Sequence, residues 1–403
     1  MPENIVITAT GICSALGTGR AQHLAALRTG RHGLRHPAHL KTVHAQEMLV
    51  GEVDACNDTL AAALELPGGS NGYTRTTLLA MTAMQELMAA AGADIFSEGK
   101  FAFINANTVG GMCAVEDMYP DFLSPAREGD FIRYINTLDC AESTENIARR
   151  FPARPMTATI STACSSSANA VILGARMIRL GLVQRAVCGG CDVLSRFTVN
   201  GFSTLKNVDK DPCRPFDQHR SGLNLGEGAG YLLLEKESDA AARGARVLAV
   251  LSGYCNSNDA YHPTAPSPDG TGALRTMTGA LAAAGLAPEA IGYINTHGTA
   301  TISNDAAEGK ALGQLFGANV PPYSSTKPFT GHTLAAAGAV EAIFSIWALQ
   351  EQAVYPNLNF STQMEELDHR PETRFREHVP LQHVMSNSFG FGGNNVSLIF
   401  SKS

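Results

Sequence analysis

No run of lysines or arginines stands out among the 403 residues, and the formal net charge is −7. The chain therefore has no evident means of neutralising a nucleic-acid backbone. No apolar stretch approaches the roughly 20 residues of a membrane span. The opening residues, MPENIVITATG, enter a strand at once and lack the basic-then-apolar pattern of a signal peptide. A soluble, cytoplasmic protein without membrane or nucleic-acid partners is expected. Nine cysteines are an odd number, scattered without regular spacing, which suits a reducing compartment better than a disulfide framework. The one CxxC, Cys188 and Cys191, has no second pair and ends an apolar run, so it reads as a buried strand end rather than a redox or zinc site. Only 17% of residues are charged, against 44% hydrophobic and 39 glycines, a composition suited to close helix-sheet packing in an α/β protein.

What is present alternates. Residues 4–10 read as a strand stopped by Gly11, and AQHLAALRTG reads as a helix ended by Gly30. Residues 31–75 form a loop-rich excursion with one helix near 58–66. The run at 76–91 has apolar residues on more than one face, as a helix buried on several sides requires. FAFINAN reads as a strand and Gly110 and Gly111 as a turn, followed by an aromatic and acidic stretch to about 150. Then come the strand TATIS, a small-residue helix, the strand RAVCGGCDVL, a long turn-rich loop and the strand YLLLEK. From about Arg246 strands and helices alternate again, to a last strand near VSLIFS. This predicts a largely parallel, helix-covered sheet. TISTACSSSANAVILGARMIRLG and SSTKPFTGHTLAAAGAVEAIFSIWAL both run strand, polar turn, small-residue helix. Two similar halves, 1–245 and 246–403, would place Cys164 and His332 at equivalent corners of one cleft.

Cys164 stands where a strand gives way to a helix. A lone cysteine is more often packed than reactive, but a helix N-terminus at such a corner is expected to lower the thiol pKa. His297 in NTHGTAT and His332 in TKPFTGHTLAAAG occupy polar, glycine-bounded turns just after strands. The other histidines, His23 in the first helix among them, read as loop or surface residues.

Four strings in order, TACSSS, THGTAT, SSTKPFTGH and NSFGFGGNN, resemble the β-ketoacyl-acyl carrier protein synthases of the thiolase superfamily, across nearly the whole chain. The resemblance implies a thiolase-like α/β fold of two pseudo-repeated βαβαβ halves in an α-β-α-β-α layering. It also implies decarboxylative condensation of an acyl group held on Cys164 with malonyl thioester, in fatty-acid or specialised polyketide or polyene elongation. In that reading Cys164 is the nucleophile, and His297 and His332 donate to the enolate oxygen. Phe391 supplies a backbone N–H and a gate, and Lys327 and Glu308 keep the histidines in order. Thr299, Thr301 and Thr264 contact the pantetheine arm, with Phe389 also substrate-binding, and Val109 lines the far end of the acyl pocket. No bound cofactor and no metal are implied, since substrates arrive on the phosphopantetheine arm of acyl carrier protein. A homodimer is expected, with a heterodimer beside a synthase-like subunit as the alternative. Arg127, Arg133 and Lys206 are candidates for a basic rim facing the acidic carrier. The chain departs from the family after the THGT turn, where TISND replaces the TPxGD of many relatives while keeping Asp305 and Glu308. Two other readings are a chain-length-factor-like subunit without chemistry, which would lack the cysteine, and a thiolase, which would carry a second cysteine in the glycine-rich C-terminal motif.

Overall fold

The computed structural model describes residues 3–70, 72–97, 99–126 and 134–403. Its strands are β1 (Ile5–Ser14), β2 (Gly17–Thr18), β3 (Phe101–Ala106), β4 (Met156–Ile160), β5 (Arg185–Asp192), β6 (Gly228–Lys236), β7 (Ala249–Asn258), β8 (Ile291–Asn295), β9 (Tyr323–Ser324), β10 (His383–Gly390) and β11 (Asn394–Ser401). The helices are α1 (Gly19–Thr29), α2 (Asn57–Ala63), α3 (Arg75–Ala91), α4 (Met112–Leu123), α5 (Cys140–Ala148), α6 (Ser166–Arg179), α7 (Arg196–Thr204), α8 (Glu237–Ala242), α9 (Thr271–Ala284), α10 (Ile302–Phe316), α11 (Lys327–Thr330) and α12 (Ala337–Glu351).

The strands follow one hydrogen-bonded path, β4-β3-β5-β6-β1-β7-β11-β10-β8-β9, with β2 paired to β1. Counted within each half of the chain, the order is third, second, fourth, fifth, first, and then its mirror image. The seam between them is narrow, since β1 and β7 share only the pairs Val6–Val250 and Ile7–Ala249. Among the described residues three large apolar cores fill the layers, with a small fourth cluster of Val6, Ala240 and Val250. The central one holds α1, α6 and α12 against strands of both halves; the outer two hold α3 against the first half, and α9 and α10 against the second.

The sheet is mixed rather than largely parallel. Pairs β3–β4, β3–β5, β8–β10 and β8–β9 are parallel, while β5–β6, β1–β6, β1–β7, β7–β11 and β10–β11 are antiparallel. The strand-helix alternation fails at the end of the chain, where β10 and β11 join through the three residues Phe391–Gly393, a hairpin that needs no crossover helix. That reading also passed over β10 itself and α7, although Ser195 and Thr198 form a capping box at the start of α7. Gly11 does not stop β1. It lies inside the strand, where a Cβ would stand 2.0 Å from the Ala83 carbonyl oxygen of α3, so its small size lets helix and strand touch.

His23 is fully buried, with its ring nitrogens on Ser14 Oγ at 2.8 Å and Gly19 O at 2.7 Å, and burial lowers its pKa to about 4. Leu334–Glu351 is long and apolar enough to cross a membrane, contrary to the expectation that no stretch comes close, but it is the core helix of the central layer and is 89% buried. Cys188 and Cys191 lie inside β5, both wholly buried.

Candidate active site

The two repeated segments meet across the central layer. β4 leads through a turn to Cys164 and α6; β9 leads through α11 and Gly331 to His332 and α12. A Cβ on Gly338 would lie 2.8 Å from the Ala168 Cβ, so α6 and α12 touch backbone to backbone near their N-termini. The serine run after Cys164 serves this junction. Ser166 Oγ accepts from the Thr162 N–H at 2.8 Å and Ser165 Oγ donates to the Thr162 carbonyl at 2.8 Å, bracing the corner. Ser167 Oγ accepts from the Ala339 N–H at 2.9 Å, one of the otherwise unpaired donors at the start of α12.

Three non-glycine residues at the site lie in the left-handed region: Ala163 (φ 52°) before Cys164, Ala300 (φ 66°) after His297, and Leu334 (φ 52°) after His332. Such conformations are costly for a residue with a Cβ and persist only where surrounding bonds enforce them. Here they turn Cys164, His297 and His332 toward one another. The ligating atoms of the three lie within 4.8 Å of each other, all buried. His332 Nε2 is 3.0 Å from Cys164 Sγ, and the two imidazoles meet edge to face with centroids 5.4 Å apart.

Each imidazole has a defined proton. Lys327 Nζ donates to His297 Nδ1 at 3.3 Å, which leaves the His297 proton on Nε2. His332 Nδ1 is buried without a partner among the described residues, a position that tolerates an idle acceptor better than an idle N–H, so its proton also belongs on Nε2. Burial, with Lys327 adding repulsion, holds both histidines well below their ordinary pKa, and they are neutral donors at pH 7.

The thiol differs from expectation. Burial pushes Cys164 up to about 11, against the opposing pull of the Lys327 charge and the Phe391 N–H. The cysteine is 6% exposed, and desolvation of a thiolate there outweighs the helix terminus. The Phe391 N–H faces the sulfur. A Cβ on Gly390 would lie 3.1 Å from the Cys164 nitrogen, so this stretch of main chain runs against the nucleophile.

Glu308 acts on the main chain rather than on a ring: its carboxylate accepts from the backbone N–H of His297 at 2.9 Å and of Gly298 at 2.8 Å, and from Asn387 at 3.2 Å. Burial raises its pKa to about 7. Asp305 similarly accepts from the Ala300 and Phe216 N–H groups. The sequence reading missed two carboxylates. Glu341 pairs with Lys327 in the core, and burial raises its pKa to about 7. Its signal was a single charge in the apolar run AGAVEAIFSIWAL. Asp192, wholly buried at the end of β5, stands behind the site.

Two cavities open on Cys164. The outer cleft, about 540 Å³, is lined by His297, His332, Thr264, Thr299, Thr301 and Phe389 together with the sulfur. Thr299 and Thr301 share a 2.9 Å hydroxyl bond, and Phe389 leans on His297 with centroids 5.9 Å apart. The inner cavity, on the other side of Phe391, also opens toward solvent beside the exposed Phe197; it is largely apolar and includes Val109, Met112 and Leu334. Phe391, stacked on Phe202 at 5.4 Å and 19°, lines both. Lys206 is exposed beside Asn207, which lines the outer cleft; Arg127 and Arg133 lie outside the described residues.

Residues 2–240 match the family model "Beta-ketoacyl synthase, N-terminal domain" and residues 248–361 its C-terminal counterpart. Among curated proteins, the chain is 39% identical over 257 residues to 3-oxoacyl-[acyl-carrier-protein] synthase 2 of Synechocystis sp. and 42% identical over 256 residues to that of Vibrio cholerae. These alignments take in 60% of this chain and 60–61% of the length of those relatives. Among solved structures, the ishigamide ketosynthase/chain length factor superposes over both whole chains with a TM-score of 0.91 at 31% identity. A ketosynthase (ApeO) in complex with its chain length factor (ApeC) from Xenorhabdus doucetiae gives 0.82 at 31% identity, covering all of this chain and 98% of that one.

Proposed function

Since the chain belongs to the β-ketoacyl synthase family, both of whose domain models it matches, we propose that it catalyses decarboxylative Claisen condensation on acyl carrier protein. The observation that carries this reading is the Cys164–His297–His332 cluster, three neutral buried groups opening on a cleft and on an apolar cavity.

Cys164 attacks the carbonyl of an acyl thioester. The tetrahedral oxyanion takes hydrogen bonds from the backbone N–H of Cys164 and of Phe391, the carrier sulfur departs, and the cysteine proton leaves with it as carrier thiol. The acyl chain then occupies the inner cavity, where Val109 limits its reach. A malonyl thioester enters the outer cleft, its arm held by Thr299, Thr301 and Thr264 beside Phe389. The bond to its carboxylate breaks and CO2 leaves. His297 and His332 donate from Nε2 to the enolate oxygen as its charge grows. The enolate carbon attacks the Cys164 thioester, the carbon–sulfur bond breaks, and the thiolate takes up a proton. Lys327, paired with Glu341, keeps the proton of His297 on Nε2, and Glu308 holds the turn that carries it. The chemistry needs no bound cofactor and no metal.

The three groups of the cluster are all present, which favours a working synthase over a chain-length-factor-like subunit. The partner is a second synthase-like chain. Among the described residues β4 ends the sheet with Met156 exposed, and Ile135 and Leu138 are exposed as well, a strand edge with apolar side chains for a second copy to cover. The reading places the work in the cytoplasm, in fatty-acid or polyketide elongation. Intact-protein mass spectrometry after incubation with acyl carriers tests it: the protein should gain one acyl group, and Cys164→Ala none. A stably acylated Cys164→Ala would overturn the assignment. Loss of one enolate donor, as in His297→Ala, should lower kcat by about 10²–10³.

A further inference from the structure

Asp192 contributes to neither histidine and does not touch the sulfur, yet its carboxylate binds two turns that the chemistry uses. One oxygen accepts from the backbone N–H of Thr108 at 2.9 Å and of Val109 at 3.0 Å. The other accepts from the Thr108 hydroxyl at 2.5 Å and from the Ala335 N–H at 2.9 Å. Thr108 and Val109 form the turn that lines the inner cavity. Ala335 belongs to the short Leu334–Ala336 turn that follows His332, and Leu334 lines the same cavity. The carboxylate is wholly buried, and no ion pair is found for it among the described residues. Oriented N–H and O–H donors satisfy it instead, two segments of chain sharing one anion.

We propose that Asp192 is a positioning residue that couples chain-length selection to the aim of His332. The proposal rests on the ketosynthase reading of the site. An acyl chain too long for the cavity presses on Val109, and the carboxylate that anchors Val109 passes the displacement to the turn after His332. Overlong chains are therefore loaded but condensed slowly, and selection appears in kcat more than in KM.

Two variants separate the two arms of the bracket. Asp192→Asn keeps one oxygen for the Thr108 and Val109 N–H groups but turns an amide NH2 toward the Ala335 N–H, breaking the link to the histidine turn. Thr108→Val removes the hydroxyl bond on the cavity side and leaves the Ala335 bond in place. The full-length protein is assayed with acyl carriers of graded chain length, and Cys164 alkylation by iodoacetamide is timed in parallel. Both variants should shrink the kcat ratio between the preferred chain and the next longer ones by about tenfold, the scale of one lost hydrogen bond to a charged group. Asp192→Asn should also slow alkylation, because His332 stands 3.0 Å from the sulfur; Thr108→Val should not. An unchanged chain-length ratio in both variants, with only the thermal midpoint lowered, would make Asp192 a structural brace and overturn the proposal. A wild type that neither loads nor condenses any acyl carrier sinks the ketosynthase reading instead. Alkylation rates equal in Asp192→Asn and wild type then remove the link to His332 as well.

Discussion

Cys164 is harder to ionise than a free thiol, so its reactivity must come from its neighbours. With a thiol pKa of about 11, the thiolate fraction rises about tenfold per pH unit throughout the range below that value. Alkylation of Cys164 by iodoacetamide should therefore climb with unit slope from pH 7 to 10 with no plateau near 8.5. A plateau there would place the thiolate in a far more polar site than the one described. His332→Ala should lower the whole line, since it removes the donor 3.0 Å from the sulfur. Both imidazoles are already neutral at pH 7, so no step near 6.5 is expected. The sequence announced the three groups of the cluster through their turns, because a strand end followed by small polar residues is a local pattern. The pKa of the thiol was not legible in the same way. It depends on how completely distant segments such as Phe389–Gly393 close over the corner, and that is a property of packing.

At the scale of elements, glycines at two contacts make separable predictions. A Cβ on Gly51 would fall 1.7 Å from the Thr330 carbonyl oxygen, against the turn that delivers His332. Gly51 also donates to the Leu225 carbonyl, and the adjoining Gly226 donates to that of His332. The excursion from 31 to 75, unreadable in the sequence, is thus a strap behind the histidine turn. Gly51→Ala should cost condensation activity out of proportion to stability. Gly11→Ala, crowding α3 on β1 far from the sulfur, should cost stability of about 1–3 kcal/mol with activity per folded molecule retained. Urea unfolding and turnover on the same samples distinguish the two. Gly11 was misread as a strand stop because a glycine that admits a neighbouring backbone and one that ends a strand look alike along one chain. β10 escaped for a related reason, since it is buried on both faces and fixed by its neighbours more than by its own periodicity, whereas α7 carries a local signal in its Ser195–Thr198 capping box and buries only Val199. Glu341 was hidden among apolar residues, its partner Lys327 being fourteen residues away and on another helix.

For the whole molecule, the mirrored strand order explains why the alternating pattern restarts near Arg246, and why the nucleophile and one donor sit at matching corners. The same order leaves β4 and β9 at the ends of the sheet. β4 carries the exposed Met156 and Thr157. If a second chain pairs along β4, Thr157→Pro should shift the protein to monomer in light scattering, since proline removes a donor from the new ladder. A dimer unchanged by that substitution would move the interface elsewhere. The mutual arrangement of the two repeated segments was not legible, because besides the two residue pairs that join β1 to β7 the junction is knit by main-chain bonds between segments distant in sequence, such as Gly226 N–H to the His332 carbonyl and His332 N–H to that of Asn224.

Phe391 lines both cavities, and the sulfur opens on each. In the proposed reaction the acyl chain is stored behind the ring and the outer cleft is vacant again once the first carrier has gone, so the one cleft would serve two carriers by turns. Such an enzyme cannot hold both at once. Its steady-state kinetics with acyl and malonyl carriers should then give parallel double-reciprocal lines, and an excess of either carrier should inhibit by occupying the cleft out of turn.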